Sequence, residues 1–475
     1  MNHIADPQMN ANIGAARPVA FIARRAGRLR SFGDAMQRHR SVIQGIQWTV
    51  VLFYLGLVVY PAFRPLPPEQ AHVYDNLTLF AQFVFWGLWW PFVMVSMMLM
   101  GRVWCGVFCP EGALTEFASR HGLGRAIPKW MRWGGWPFVA FALTTVFGQL
   151  VSVYEYPKAT LLVLGGSTVM AVGVGLVYGR GKRVWCRYLC PANGVFALLA
   201  RLAPIHFRTD ADAWRRAPRH TQAVNCAPLV DVRHLSSMSA CHACGRCSGH
   251  RDAVQLEARS PNQEVQSLKA SQASRWEVMV LVYGVLGIAV GAFQWSGSPW
   301  FVTVKQAVAG WLVAHDSFWL LQDNAPWWLL THYPGANDVF SWLDGLLILF
   351  YIGATALVLG SWILLWLFGV QRILRQDGFL WQLAYSLIPL AGVSVFLGLS
   401  MLTVTMLRAE GMMLSWVSPA RCVLLVLGTA WSMWLAARLI GAAPATGGRR
   451  RWALAAVVPA MVLVPAAWGV QFFLW

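Results

Sequence analysis

Charge is what this 475-residue chain has least of. Charged residues make up 12% of it, about half the roughly 25% of ordinary soluble domains, while 57% of its residues are hydrophobic. That balance excludes a soluble globular chain and leaves a polytopic membrane protein. Acidic residues are the scarcer kind, 20 Asp and Glu against 38 Lys and Arg, and the excess of positive charge is gathered in a few segments. Such grouping follows the positive-inside rule and calls for no nucleic-acid partner. Histidine is essentially absent from the apolar runs, so a transmembrane pair of haem ligands is not indicated, and without a C-x-x-C-H motif neither is covalent c-type haem. Charge within the spans, the usual mark of an ion pathway, is sparse as well, which argues against a transporter. The nine cysteines do not form a disulfide framework. Eight lie between Cys105 and Cys247, in segments expected on the reducing side of the membrane, and Cys422 stands apart.

What is present centres on the run NCAPLVDVRHLSSMSACHACGRCSGH. Cys241, Cys244 and Cys247 stand in C-x-x-C-x-x-C spacing, with Cys226 upstream in a segment rich in turn residues. Two residues between thiolates let one tight loop aim successive sulfurs at adjacent corners of a cube, the spacing used for a 4Fe–4S cluster. Cys226 is the nearest candidate for the fourth ligand. No C-x3-C-P follows the triplet, so a single cluster is expected in this segment. Zinc favours paired C-x-x-C knuckles or mixed Cys/His sets, which His242 or His250 could complete, but the even triplet favours iron–sulfur.

Two further segments repeat one pattern, GRVWCGVFCPEGAL from Gly101 and GKRVWCRYLCPANGV from Gly181. Each carries a basic residue, Val-Trp and C-x3-C-P at the end of an even-numbered apolar span. In a helix Cys105 and Cys109 would share a face, as would Cys186 and Cys190, with each proline in the turn that follows. The repetition implies that spans one and two correspond to three and four. It brings two dithiols to the same membrane face, suited to one four-thiolate metal site at Cys105, Cys109, Cys186 and Cys190: a second iron–sulfur cluster, copper held by soft thiolates, or a redox-active thiol pair.

The expected fold is an all-α polytopic membrane protein of about nine transmembrane helices with a small cytoplasmic ferredoxin-like segment. Residues 1–41 read as a basic cytoplasmic arm carrying Arg17, Arg24, Arg25, Arg28, Arg30, Arg38 and Arg40. Residues 42–181 read as a four-helix core with the first C-x3-C-P motif, and 182–275 as a cytoplasmic segment with the second motif and the 4Fe–4S site. Residues 276–475 read as about five further helices with a Trp-rich periplasmic segment at 296–340. The spans are expected near Val42 to Phe63, Leu77 to Met100, Trp136 to Tyr154, up to Tyr178, Val278 to Trp295, Leu343 to Val370, Leu380 to Leu407, Cys422 to Ile440 and Leu454 to Trp475. With the N-terminus inside, every basic cluster falls on one side, placing the chain in a bacterial inner membrane with the iron–sulfur segment cytoplasmic.

At GRVWCGVFCP, RVWCRYLCP and CHACGRC preceded by NCAP, the chain resembles the membrane-bound polyferredoxins, a family that serves periplasmic nitrate reduction, nitrous oxide reduction and the assembly of cbb-type oxidases. The resemblance covers roughly Val42 to Asn262. It implies cytoplasmic iron–sulfur clusters and electron transfer between the quinone pool or a reductase and a periplasmic or metal-containing acceptor, which in the oxidase-assembly branch is cupric ion. The chain departs from the family in having one ferredoxin triplet instead of two and in extending five helices past the shared core.

The expectation is therefore an inner-membrane electron-transfer protein with a 4Fe–4S cluster on Cys226, Cys241, Cys244 and Cys247, with lipid around it and a redox partner subunit or quinone beside it. The alternatives are a copper-reducing assembly factor for a respiratory oxidase and a membrane redox sensor. Arg246, Arg233 and His234 would raise the cluster potential by favouring its more negative reduced form. His72, His315 and His332 read as interfacial polar side chains, as ligands to haem or copper on the outer side, or as part of a quinol site with Asp316, Asp323 or Asp338. Arg408 and Glu410 read as interfacial, and Cys422 as a packing residue.

Overall fold

The computed structural model describes residues 16–68, 70–218, 221 and 223–475, with side chains from Gly27 onward. The expected arm residues 1–15, and the side chains of Arg17, Arg24 and Arg25, lie outside the described residues.

Among the described residues, eight helices are long and apolar enough to cross a membrane: Arg40–Ala62, Leu77–Met100, Pro157–Tyr178, Arg275–Gly297, Trp342–Leu374, Phe379–Ala409, Val417–Ala442 and Gly447–Leu474. They match eight of the nine expected spans to within a few residues. The other expected span forms the helix Trp136–Leu150, whose 15 residues reach about 22 Å at 1.5 Å per residue, short of the roughly 30 Å hydrocarbon core. The chain breaks it at Ser152, held at φ +50°, where Val153 N–H turns back to the Gly148 carbonyl.

The helices divide by exposure. Arg275–Gly297 and Phe379–Ala409 are 72% and 67% buried over their apolar windows, the others 28 to 44%, so these two form the axis and the rest present an apolar face to lipid. Close approach at the axis uses small residues, since lipid tails supply no hydrophobic drive between helices. A β-carbon on Gly287 would come within 2.8 Å of the Ala356 Cα.

The expected polar segment folds on one end of this bundle. Strand β1 (Ile205–Thr209) pairs antiparallel with β2 (Val254–Ala258), Phe207 opposite Leu256. Phe207, Leu256, Val254, Leu235 and Met238 pack with Cys241 and Ala243 in a small core of their own. The chain before the first span is a helix, Ala16–Arg38, that lies along β2. Ser248 donates to Asp34 at 2.8 Å, and Gly245 sits against Met36. The expected arm is thus, over this range, a helix docked on the cysteine segment.

At the opposite end of the bundle, Pro299–Ala314 forms a 16-residue helix, and β3 (His332–Tyr333) pairs with β4 (Asp338–Val339). The Trp-rich stretch is therefore helix, turn and hairpin, with Trp300, Trp311, Trp319 and Trp328 exposed.

Candidate functional site

Both C-x3-C-P motifs build the same local turn. Cys109 N–H bonds to the Trp104 carbonyl, and Cys190 N–H to the Trp185 carbonyl, five residues back in each case. The cause is the following proline, which forbids helical geometry to the residue before it; Cys109 accordingly takes φ −73°, ψ 117°. Pro110 then opens the helix Pro110–Arg120, at the position where its missing N–H costs nothing, and the Cys109 sulfur accepts from Gly112 N–H at 3.3 Å. Cys105 lies in a π-helical turn, Trp104–Phe108, and Cys186 in the short helix Val184–Tyr188. The wider π turn replaces the shared helical face expected for the first pair.

The structure gathers both sets of four thiols. Cys105, Cys109, Cys186 and Cys190 feel one another electrostatically. Burial, then the neighbouring charges, pushes the Cys186 thiol up to about 12 against the pull of Arg183, and raises Cys109 and Cys190 well above the ordinary range. Cys226, Cys241, Cys244 and Cys247 line one small cavity with Phe207, Val230 and Leu235. There burial, joined by Cys244 and Cys226, pushes Cys241 up to about 12 against an Ala243 hydrogen bond. Four thiols gathered in this way are a donor set completed by positive charge, since a metal centre deprotonates coordinating thiols outright. Both sets therefore fit iron–sulfur ligation in donor chemistry. Among the described residues no three His, Cys, Asp or Glu side chains converge closely enough to hold a single metal ion.

The two sets abut. Gly106, between Cys105 and Cys109, has no room for a side chain: a β-carbon there would run into the His242 carbonyl oxygen and lie 2.9 Å from Cys244 N. Gln47, from the first span, pins this turn by donating to the Gly106 carbonyl at 2.8 Å. Beside the contact stands Arg183, 1% exposed, near both Cys186 and Cys244. Its guanidinium donates to Glu116 at 2.8 Å and to the Cys105 carbonyl at 2.5 Å, and its Nη2 is buried without a partner. Arg246 reaches the same Glu116 at 2.5 Å. Burial opposes ionisation of that carboxyl, but Arg183 and Arg246 outweigh it and hold Glu116 below the usual range. Arg102 ties the second motif to the triplet, donating to Asn193 at 2.8 Å and to the Ser239 carbonyl at 2.7 Å. Lys182 binds the Cys226 carbonyl at 3.1 Å.

Arg246 is committed to a carboxylate, and His234 is exposed and paired with Asp231. A buried cation between the sets, beside the likewise buried Arg102, is Arg183. Sequence reasoning passed over it and Glu116, although Arg183 stands three residues before Cys186 in the repeated basic-Val-Trp-Cys pattern.

On the membrane side, Cys109 and Cys190 form part of the wall of a cavity of about 220 Å³. Its lining is aromatic and apolar, with Phe85, Trp86, Trp89, Trp90, Trp104 and Phe196, and includes one carboxyl, Glu111. Glu111 accepts from Trp185 Nε1 at 3.2 Å, which crosslinks the two motifs. Burial pushes this carboxyl up, against hydrogen bonds from Ser167, Trp185 and Thr168. Thr168 in turn meets the Tyr54 hydroxyl at 3.0 Å.

The histidines noted at the other end do not assemble into one site. His72 pairs with Glu410 at 3.0 Å, His315 stacks on Trp311, and His332 lies in β3 opposite Val339, while Asp338, opposite Tyr333, accepts from the Tyr156 hydroxyl at 2.7 Å. Glu410 is thereby a loop tie between the ends of two spans. Cys422 is exposed on its helix, not packed inside as expected.

Comparison with known proteins agrees with this picture. A family described as "4Fe-4S binding domain" matches residues 82–132 and 164–209, two stretches that each contain one C-x3-C-P motif. The chain is 22% identical over 231 residues to YccM of Escherichia coli (strain K12), provisionally named an electron transport protein, covering 43% of this chain and 64% of that one. It is 25% identical over 182 residues to the regulatory protein NosR of Pseudomonas aeruginosa, covering 33% of this chain and 25% of NosR. The chain thus spans under two thirds of the length of these curated relatives. No solved structure matches it significantly. The resemblance to membrane-bound polyferredoxins holds: this is a multi-pass membrane protein similar to 4Fe–4S proteins of electron transport or its regulation.

Proposed function

We propose that the chain carries electrons between a membrane quinol and an acceptor on its cysteine-bearing face, using two 4Fe–4S clusters. Cys105, Cys109, Cys186 and Cys190 would hold one, and Cys226, Cys241, Cys244 and Cys247 the other. A cluster so bound stores and releases one electron at a potential set by charge, hydrogen bonds and burial. The observation that carries this reading is the contact at Gly106, where the two cysteine loops meet with no room for a side chain at that position.

The chain's own residues supply the rest. A cavity of about 150 Å³ is enough to take a benzene ring, so about 220 Å³ beside Cys109 and Cys190 accommodates a quinol headgroup between aromatic walls. Glu111, linked to Thr168 and Tyr54, is placed to take a proton from a quinol hydroxyl. Arg183, Glu116 and Arg246 hold the two cysteine loops in register. The basic residues around the motifs, among them Arg102, Arg120, Arg125, Lys129, Arg132, Arg180 and Lys182, support a cytoplasmic position for this face under the positive-inside rule.

The test is anaerobic purification with iron, sulfide and copper analysis and EPR of the reduced protein. About eight irons per chain are expected, with about four lost in Cys241→Ala and a different four in Cys105→Ser. Copper in place of iron at the second set would favour the metal-handling reading. Zinc without iron would end the electron-transfer reading.

A further inference from the structure

The cavity beside Cys109 and Cys190 does not stand alone. A second and larger one, about 740 Å³, lies toward the other end of the bundle. Trp86, Tyr154, Phe293 and Leu399 line both. The larger cavity is more polar than the first, with Gln149, Ser152, Glu155, Lys305 and Asp338 in its lining. The Leu77–Met100 helix gives the scale of the separation. Its 24 residues span about 36 Å; Gln82 near one end donates to the Tyr154 carbonyl, and Arg102 just past the other reaches Ser239.

The polar side chains that join the two cavities come largely from one element. Thr144 and Thr145 of the Trp136–Leu150 helix face the first cavity, and Gln149 of the same helix and Ser152 just after it face the second. This is the helix that stops short of membrane thickness, and the residues at its end line the larger cavity. Ser152 shares a hydrogen bond with Thr331 at 2.7 Å, and Gln149 accepts from Trp295 at 2.8 Å, so both are fixed in place. Lys305 is paired with Asp344 at 2.5 Å, leaving Glu155 and Asp338 as the acidic groups lining the larger cavity.

We propose that this second cavity is a proton exit, and that the protein releases the protons of its reductant on the membrane face opposite the cysteines. The inference rests on the quinol reading above. A quinol that becomes a quinone breaks two O–H bonds and yields two electrons and two protons. The electrons leave toward the cysteine face and its oxidised acceptor. The protons pass from the first cavity along Thr144, Thr145, Gln149 and Ser152 to Glu155 and the opposite solution. Charge is thereby separated across the membrane, a function distinct from electron transfer itself.

The test uses the full-length holoprotein in vesicles of phosphatidylethanolamine and phosphatidylglycerol, with a short-chain ubiquinol analogue as reductant. Ferricyanide outside, which does not cross the bilayer, draws electrons only from molecules whose cysteine face is outward. A pH dye trapped in the lumen should report a proton inside for each electron delivered, abolished by an uncoupler. Acidification should be lost relative to electron delivery in Thr145→Val and reduced in Glu155→Gln. Ferricyanide reduction with protons appearing only outside would overturn the exit and leave the quinol reading standing. No quinol-dependent reduction at all would overturn both. Acidification per electron unchanged in both variants would remove this path and sink the inference.

Discussion

Gly106 meets His242 backbone to backbone, with no space for a β-carbon between them. This single contact joins the first C-x3-C-P turn to the ferredoxin-like loop, and it sets how closely two redox centres on either side can approach. Gly106→Ala must push the loops apart, and overpacking of this kind costs about 1–3 kcal/mol. The variant is expected to retain its helices by circular dichroism and to lose iron from at least one thiol set. Full iron content with unchanged EPR spectra would show that the contact is dispensable.

Arg183 and Arg246 differ in how deeply they lie, and that difference predicts their effects on potential. Arg183 is 2% exposed at its side chain and Arg246 26%, so water screens the second far more than the first. Each cation favours the more negative reduced state. An EPR-monitored redox titration should give a lower midpoint potential in Arg183→Gln and a smaller drop in Arg246→Gln. The reverse order would place the effective charge at Arg246, as expected from sequence alone.

Glu116 is the shared anion of these two guanidiniums. Glu116→Gln leaves Arg183 buried without its charge partner, a change that typically costs about 3–5 kcal/mol. Thermal unfolding in detergent should show a large drop for this variant. The neighbouring pair at Glu116 and Arg120, with an arginine half in water and 3.7 Å away, predicts almost no loss for Arg120→Gln, in line with the roughly 0–1 kcal/mol of exposed pairs.

His206 on β1 gives the cysteine segment a pH dependence. Burial first, then the charges of Arg259 and Arg208, push its imidazole down to about 4 from the ordinary 6.5. The folded state therefore holds it neutral where the unfolded chain would protonate it. Its contribution to stability is present above 6.5 and is lost as pH falls toward 4. Melting temperatures across that window should fall more steeply for the wild type than for His206→Gln. Parallel curves would assign the acid sensitivity to other groups.

The membrane class, eight of the spans and the eight candidate thiols were all legible in the linear chain. Apolar runs and ligand spacings are local properties: a run of twenty apolar residues or a C-x-x-C turn carries its meaning wherever it folds. The repeat was legible for the same reason, and the matched backbone turns at Cys109 and Cys190 trace to the proline that follows each.

What only the tertiary structure decided are relations between residues far apart in sequence. Glu116 and Arg246 are 130 positions apart, and Glu111 and Trp185 74. Nothing local marks either carboxylate, since an isolated Glu in a basic loop reads as solvated. The same holds for Trp136–Leu150, whose composition promised a full span but whose early end at Ser152 depends on the Gly148–Val153 turn and on Thr331, 179 residues away. Composition fixed that the chain enters the membrane and which sulfurs it carries. Packing decided that two thiol sets touch, that a buried arginine stands between them, and that a cavity opens beside them, because burial and charge pairing are created only when distant segments exclude water together.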